Sequence, residues 1–188
     1  SVLRSWVTSN GAPGPTGIGN FTAAAGRYHL YVAINCPWAH RTMIMRSLKK
    51  LEDVVSMSIV RPNRGAEGWT FDEALGYRED LFGKSNLHEI YTTSHADYTG
   101  RVTVPVLFDK EQGIIVSNES SEIIRMFNSA FNKWADTTND YYPHNLQPVI
   151  DEWNGIGAAV VGTFETTLND TGGNSLAITE GTFDVKQK

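Results

Sequence analysis

The chain has 188 residues, 40% of them hydrophobic, enough apolar side chain for one packed domain and part of a second. Sixteen basic against twenty-one acidic residues give a formal charge of -5 with no basic block, so counterion release from nucleic acid supplies no driving force here. No run approaches the roughly 20 apolar residues that span a bilayer, no charged-then-apolar leader opens the chain, and a single cysteine forms no internal disulfide; the expected setting is therefore a reducing compartment, the cytoplasm, with the mitochondrion left open.

Residues 1–27 are expected to be a coil extension. From Thr8 to Arg27 the chain is rich in Gly, Pro and Ala and almost uncharged, so it orders only if something docks it. Residues 28–34, Tyr-His-Leu-Tyr-Val-Ala-Ile, are apolar or aromatic at nearly every position, the pattern of a strand covered on both faces. Asn35-Cys36-Pro37 breaks that run. Trp38, Met43, Ile44, Met45, Leu48 and Leu51 then fall near helical spacing, close enough for one buried face, with Pro37 where a first helical turn accepts proline. Residues 54–60 form a second short apolar run, and strand-helix-strand favours a parallel βαβ unit.

Residues 61–101 show no clear period and read as a long loop insertion, a length more often functional than idle. Residues 103–108 and 114–116 are strand signals around a turn at 109–113, together a hairpin. Ser117 and Asn118 offer N-cap side chains to a helix over 119–131, with Ile123, Ile124, Met126 and Phe127 on one face. The order β-α-β, long loop, β-β-α is the thioredoxin-like plan: an α/β domain over residues 28–131, its mixed sheet covered by helices.

Chemistry concentrates at the breaks. A lone cysteine is more often a buried structural residue, but Cys36 sits where a buried strand meets a helix start, and free amides and the helix dipole favour an anion there. In Cys36-Pro37-Trp38-Ala39 alanine takes the place of a resolving thiol, so a mixed disulfide on Cys36 must be resolved from outside, and glutathione is the abundant candidate. His40 and Arg41 either add positive potential near the sulfur or form a solvated helix face. Pro105 belongs at a sheet edge or in a cis bond; the latter would leave Val104 free to pair with a peptide-like ligand. Glu119 and Ser120 open the later helix and either cap it or hold an ammonium and a carboxylate. His88 and His95, seven apart in a glycine-dotted loop, do not suggest a metal pair, and no metal is expected.

The stretches GRYHLYV from Gly26, CPWAHRT from Cys36, GWTF from Gly68, RVTVPVL from Arg101 and NESSEII from Asn118, with Asp140-Tyr141-Tyr142-Pro143 beyond them, resemble the Xi-class glutathione transferases, also called glutathionyl-hydroquinone reductases. The resemblance covers about residues 20–152. It implies Cys36 as nucleophile, Trp69 packed on glutathione, Arg101, Val102, Thr103 and Val104 along its backbone, and Glu119 with Ser120 at its γ-glutamyl end. Glutathione is then the co-substrate, aromatic glutathionyl conjugates are the substrates, and the full-length family forms homodimers. The implied activity is a glutathione-dependent thiol transfer that removes glutathione from glutathionyl-hydroquinones through a mixed disulfide on Cys36. Family members continue into a large helical domain that supplies a proton-transferring tyrosine. Here residues 132–188 read as a linker and a remnant of that domain; after about Trp153 the chain is Gly- and Thr-rich and weak in helical period, and no tyrosine follows Tyr142. That leaves a second reading open, a non-catalytic glutathione-binding or interaction module that retains the fold.

Overall fold

A computed structural model describes residues 1–154, 160–169 and 175–185, and the chain divides into two compact units after Tyr141. In the first unit two short strands, β1 (Val7–Thr8) and β2 (Phe21–Thr22), pair in parallel. The main sheet is built from β3 (Tyr28–Val32), β4 (Ser56–Ile59), β5 (Val106–Asp109) and β6 (Ile114–Ser117), in the order β4-β3-β5-β6. β4 runs parallel to β3, and β5 runs antiparallel to both its neighbours. Helix α1 (Pro37–Leu48) joins β3 to β4, α2 (Leu87–Ser94) lies in the insertion, and α3 (Ser120–Ser129) follows β6. This is the thioredoxin-like arrangement that the sequence order implies.

β3 is buried at all five positions because both faces of the sheet are covered. Tyr28 packs edge-on against Phe131, just past α3, while on the other face His29 meets Ser56 of β4 and Tyr31 points into the insertion. There Tyr31 meets Phe71 and Phe108, and its hydroxyl donates to Glu79 at 2.7 Å. Glu79 in turn accepts from the amides of Leu81, Phe82 and Lys84, so one buried carboxylate folds the insertion onto the sheet. The insertion is therefore not simply a loop. Asn86 and Glu89 form a reciprocal capping box, and Leu87, Ile90 and Tyr91 bury one face of α2. That box is a sequence signal that the search for longer periods passes over.

His29 carries a pH dependence. Its Nδ1 meets Ser56 Oγ at 2.7 Å, Nε2 is buried without a partner, and burial pushes the imidazole down to about 4, with the Glu79 carboxylate opposing only in part. The unfolded chain takes up this proton near pH 6.5 and the folded chain only near 4. Stability is then complete above pH 6.5 and is lost as the pH falls toward 4, by about 3 kcal/mol at the limit. Urea midpoints at about pH 7 and about pH 4.5 are expected to fall further apart in the parent than in His29→Gln; equal shifts would mean that other groups carry the acid sensitivity.

The N-terminal extension is docked rather than free coil. Trp6, Val7, Phe21 and Ala23 are buried, the Val7 amide points at Met126 Sδ on α3 (3.3 Å), and Tyr28 Oη donates to the Thr22 carbonyl at 2.8 Å. A Cβ on Gly14 would lie 2.2 Å from the Trp6 ring, so only glycine allows the chain this close to the indole. Helix α3 is capped by Glu119 and not by Ser117 or Asn118: the Glu119 carboxylate accepts from the Ser121 amide at 3.1 Å, while Ser117 Oγ accepts from the Glu119 amide.

The second unit opens with a 3-10 turn, His144–Leu146, and α4 (Gln147–Asn154). Strands β7 (Val160–Asn169) and β8 (Ser175–Val185) then pair antiparallel. Among the described residues of this unit, α4 is thus followed by paired strands, and the Val- and Thr-rich stretch from Val160 follows its β-branched propensity.

Candidate functional site

The sheet topology brings the chemistry-bearing breaks to one edge. β3, β4 and β6 point the same way, so their C-terminal ends share the edge at which antiparallel β5 begins. Read across that edge in sheet order, β4 leads to Arg61, whose amide donates to the Thr70 carbonyl beside Trp69; β3 leads to Cys36; Val104 precedes β5; and β6 leads to Glu119 and Ser120. Four strands at about 4.8 Å spacing spread these groups over roughly 14 Å.

Cys36 is the N-cap of α1, half-buried, with Pro37 opening the helix. Its Sγ lies 3.8 Å from the Val104 carbonyl oxygen. The Val104-Pro105 bond is cis, which resolves the two sequence alternatives, and the Val104 amide donates to no group among the described residues. Thr103, one residue earlier, is held through its carbonyl by the Tyr91 hydroxyl at 2.9 Å. Val102 is half-buried; Arg101 is exposed, its carbonyl accepting from Tyr98 Oη at 2.9 Å.

At the β6 end, Arg41 of α1 reaches across to α3. Its Nε and Nη2 donate to Ser120 Oγ at 3.0 and 2.7 Å, and Nη2 lies 3.8 Å from Glu119 Oε1. Neither sequence reading of Arg41 anticipates this, since the partners are 79 residues away. Two accepted bonds occupy both hydroxyl lone pairs of Ser120, so what that residue can offer a ligand is its proton. Burial on its own would raise the Glu119 carboxyl. The Ser121 amide, the Ser1 and Ser121 hydroxyls and the Arg41 charge outweigh it and hold the group below the usual carboxylate range. A donor hydroxyl beside an ionised carboxylate suits an α-amino-acid end, with its carboxylate on Ser120 and its ammonium on Glu119. Arg41 itself is pushed down by burial, with Glu119 opposing.

Trp69 lies at the β4 end, 5% exposed, with Nε1 buried and unpartnered and the Arg64 guanidinium 4.2 Å above its ring. The edge thus gathers Cys36, Val104, Glu119 and Ser120, with Trp69 the farthest in sheet order from Glu119 and Ser120. Residues 35–130 match the profile of the glutathione S-transferase N-terminal domain. The chain belongs to the glutathione S-transferase family. Among its relatives in that family, the glutathionyl-hydroquinone reductase YqjG of Escherichia coli (strain K12) is 53% identical over 157 residues, 82% of this chain and 48% of that one. The solved glutathione-bound YqjG superposes with a TM-score of 0.78 over 81% of this chain and 50% of that one, at 53% identity. The Xi glutathione S-transferase of Phanerochaete chrysosporium is 44% identical with a TM-score of 0.72, over 81% of this chain and 51% of that one. The chain therefore spans about half the length of these transferases.

Proposed function

We propose that this chain is the glutathione-handling part of a glutathionyl-hydroquinone reductase, with glutathione as co-substrate and aromatic glutathionyl conjugates as substrates. The observation that carries this is the order of groups along one sheet edge: a Ser120-Glu119 pair for an amino-acid end, an unpaired Val104 amide, the Cys36 thiol, then Trp69. Glutathione presents its zwitterionic end, backbone and sulfur in that sequence. An extended tripeptide reaches roughly 10 Å, within the span of the edge.

The chemistry follows from a single thiol. The Cys36 thiolate attacks the sulfur of a glutathionyl-hydroquinone, forming the S–S bond of a mixed disulfide as the bond from sulfur to ring carbon breaks. The electron pair left on the ring carbon takes up a proton and gives the hydroquinone. A second glutathione thiolate attacks the glutathionyl sulfur of the mixed disulfide, releasing oxidised glutathione and the Cys36 thiolate. The conjugate gains two electrons, and two glutathionyl groups leave as one disulfide. Val104, Glu119 and Ser120 act only by holding the tripeptide so that its sulfur meets Cys36.

Incubation with oxidised glutathione tests the thiol step, because attack by Cys36 must leave one glutathionyl group on the protein. Intact mass is expected to rise by a single adduct that maps to Cys36 and is removed by glutathione. A chain that binds glutathione without forming the adduct would instead be the non-catalytic module.

A further inference from the structure

Resting on that reading, we propose that the N-terminal segment positions the glutathione cradle, with Arg4 and Leu3 acting through Glu122 and Asn118. Leu3 and Asn118 are paired in both directions: the Asn118 amide donates to the Leu3 carbonyl at 3.0 Å, and the Leu3 amide donates to Asn118 Oδ1 at 3.2 Å. The Ser5 amide donates to the Val116 carbonyl at 2.8 Å, and Arg4 bridges Ser117 in antiparallel fashion. Residues 3–5 thereby lie as an added edge piece along β6.

The Arg4 guanidinium completes the clamp. Its Nε is 2.9 Å from Glu122 Oε1, its Nη2 contacts the same oxygen, and Ser117 Oγ lies 3.5 Å from Oε2. The Glu122 side chain is 4% exposed, in the first turn of α3, where the Arg4 guanidinium gives a buried carboxylate its partner. Asn118 then carries the constraint to both arms of the site. It immediately precedes Glu119 and Ser120, and its Nδ2 donates to Tyr91 Oη at 3.2 Å and to Thr103 Oγ1 at 3.4 Å, beside Val104. The two halves of the cradle are 15 residues apart in sequence, and Asn118 is the side chain that joins them. Arg4 and Leu3 make no hydrogen bond to Cys36, Val104, Glu119 or Ser120, although the Arg4 charge is also felt by Glu119; they are positioning residues.

Calorimetric binding of reduced glutathione to the full 188-residue chain tests this with Arg4→Met, Arg4→Lys and Leu3→Pro, the last removing the amide that holds Asn118 together with a side chain packed on the core. The rate of Cys36 alkylation by iodoacetamide, a reagent that needs no cradle, is read in parallel. Arg4→Met and Leu3→Pro are each expected to weaken glutathione about tenfold with alkylation within about twofold of the parent, and Arg4→Lys to recover most of the loss. Unchanged binding in folded Arg4→Met and Leu3→Pro would overturn the proposal and leave the glutathione reading intact. Alkylation changing in step with binding would also overturn it, by showing general disruption. A parent that binds no glutathione would overturn the functional reading first. Should Arg4→Met fail to fold, the double variant R4M/E122Q, which removes the buried charge with its partner, is measured in its place.

Discussion

Cys36→Ser is expected to lower turnover of a glutathionyl-hydroquinone by roughly a thousandfold or more while changing the glutathione dissociation constant by less than about threefold. The two effects separate because different atoms carry them. Chemistry needs a sulfur that can enter and leave an S–S bond, which a serine hydroxyl does not do. On the proposed reading, binding rests on the Val104 amide, the Ser120 hydroxyl fixed by Arg41, and the Glu119 carboxylate held below its usual range at the start of α3. Sγ contributes one long contact to a carbonyl, 3.8 Å, whose loss costs little in a group already half open to solvent. Single-turnover assay of conjugate reduction, with calorimetry on the same preparations, checks both halves. Equal turnover in variant and parent would remove Cys36 as the nucleophile. A loss of binding that matched the loss of turnover would mean that the sulfur holds the cradle together, against the geometry.

The place of Cys36 at a strand-to-helix break was legible because its signal is local: buried strand β3, the Cys-Pro break and helix α1 follow one another directly between Tyr28 and Leu48. The same is true of Glu119 and Ser120, which sit beside a strand end and a helix start. What escaped the sequence is what depends on distant partners. Arg41 reads as a helix surface residue until α3 is laid beside α1 and Ser120 Oγ falls within 2.7 Å. Trp6 and Phe21, apolar residues in or beside a Gly- and Pro-rich tract, look like decoration on a coil until α3 supplies Met126 and the extension docks. Arg4 and Glu122 are 118 positions apart. Helix α2 is a different case, since its capping box is written in Asn86 and Glu89, but eight residues are too few to establish a period. The cis state of the Val104-Pro105 bond was one of two readings that composition allowed, and the fold decides between them.

This chain spans about half the length of YqjG. A fusion of residues 1–152 to the C-terminal half of YqjG is expected to reduce glutathionyl-hydroquinones about 10²–10⁴-fold faster than the 188-residue chain, with similar affinity for glutathione. The reaction leaves an electron pair on an aromatic carbon, and the group that supplies its proton must lie over the substrate ring. Among the described tyrosines, Tyr28, Tyr31 and Tyr91 are fully buried, and Tyr31 and Tyr91 are pushed up mainly by burial, so these three are poorly placed to give a proton to such a ring. The surface of α1 points the same way. Trp38, Ile44 and Leu48 are 55%, 48% and 45% exposed on a helix whose first residue follows Cys36, an apolar side beside the thiol that a packed helical domain would cover. Left bare, that side is expected to make the 188-residue chain self-associate as concentration rises, whereas the fusion stays at a fixed mass. Single-turnover rates and light-scattering mass at matched concentrations test the two expectations together. A 188-residue chain that matched the fusion in rate and stayed monodisperse would place both the proton donor and the cover for α1 within this chain's own residues.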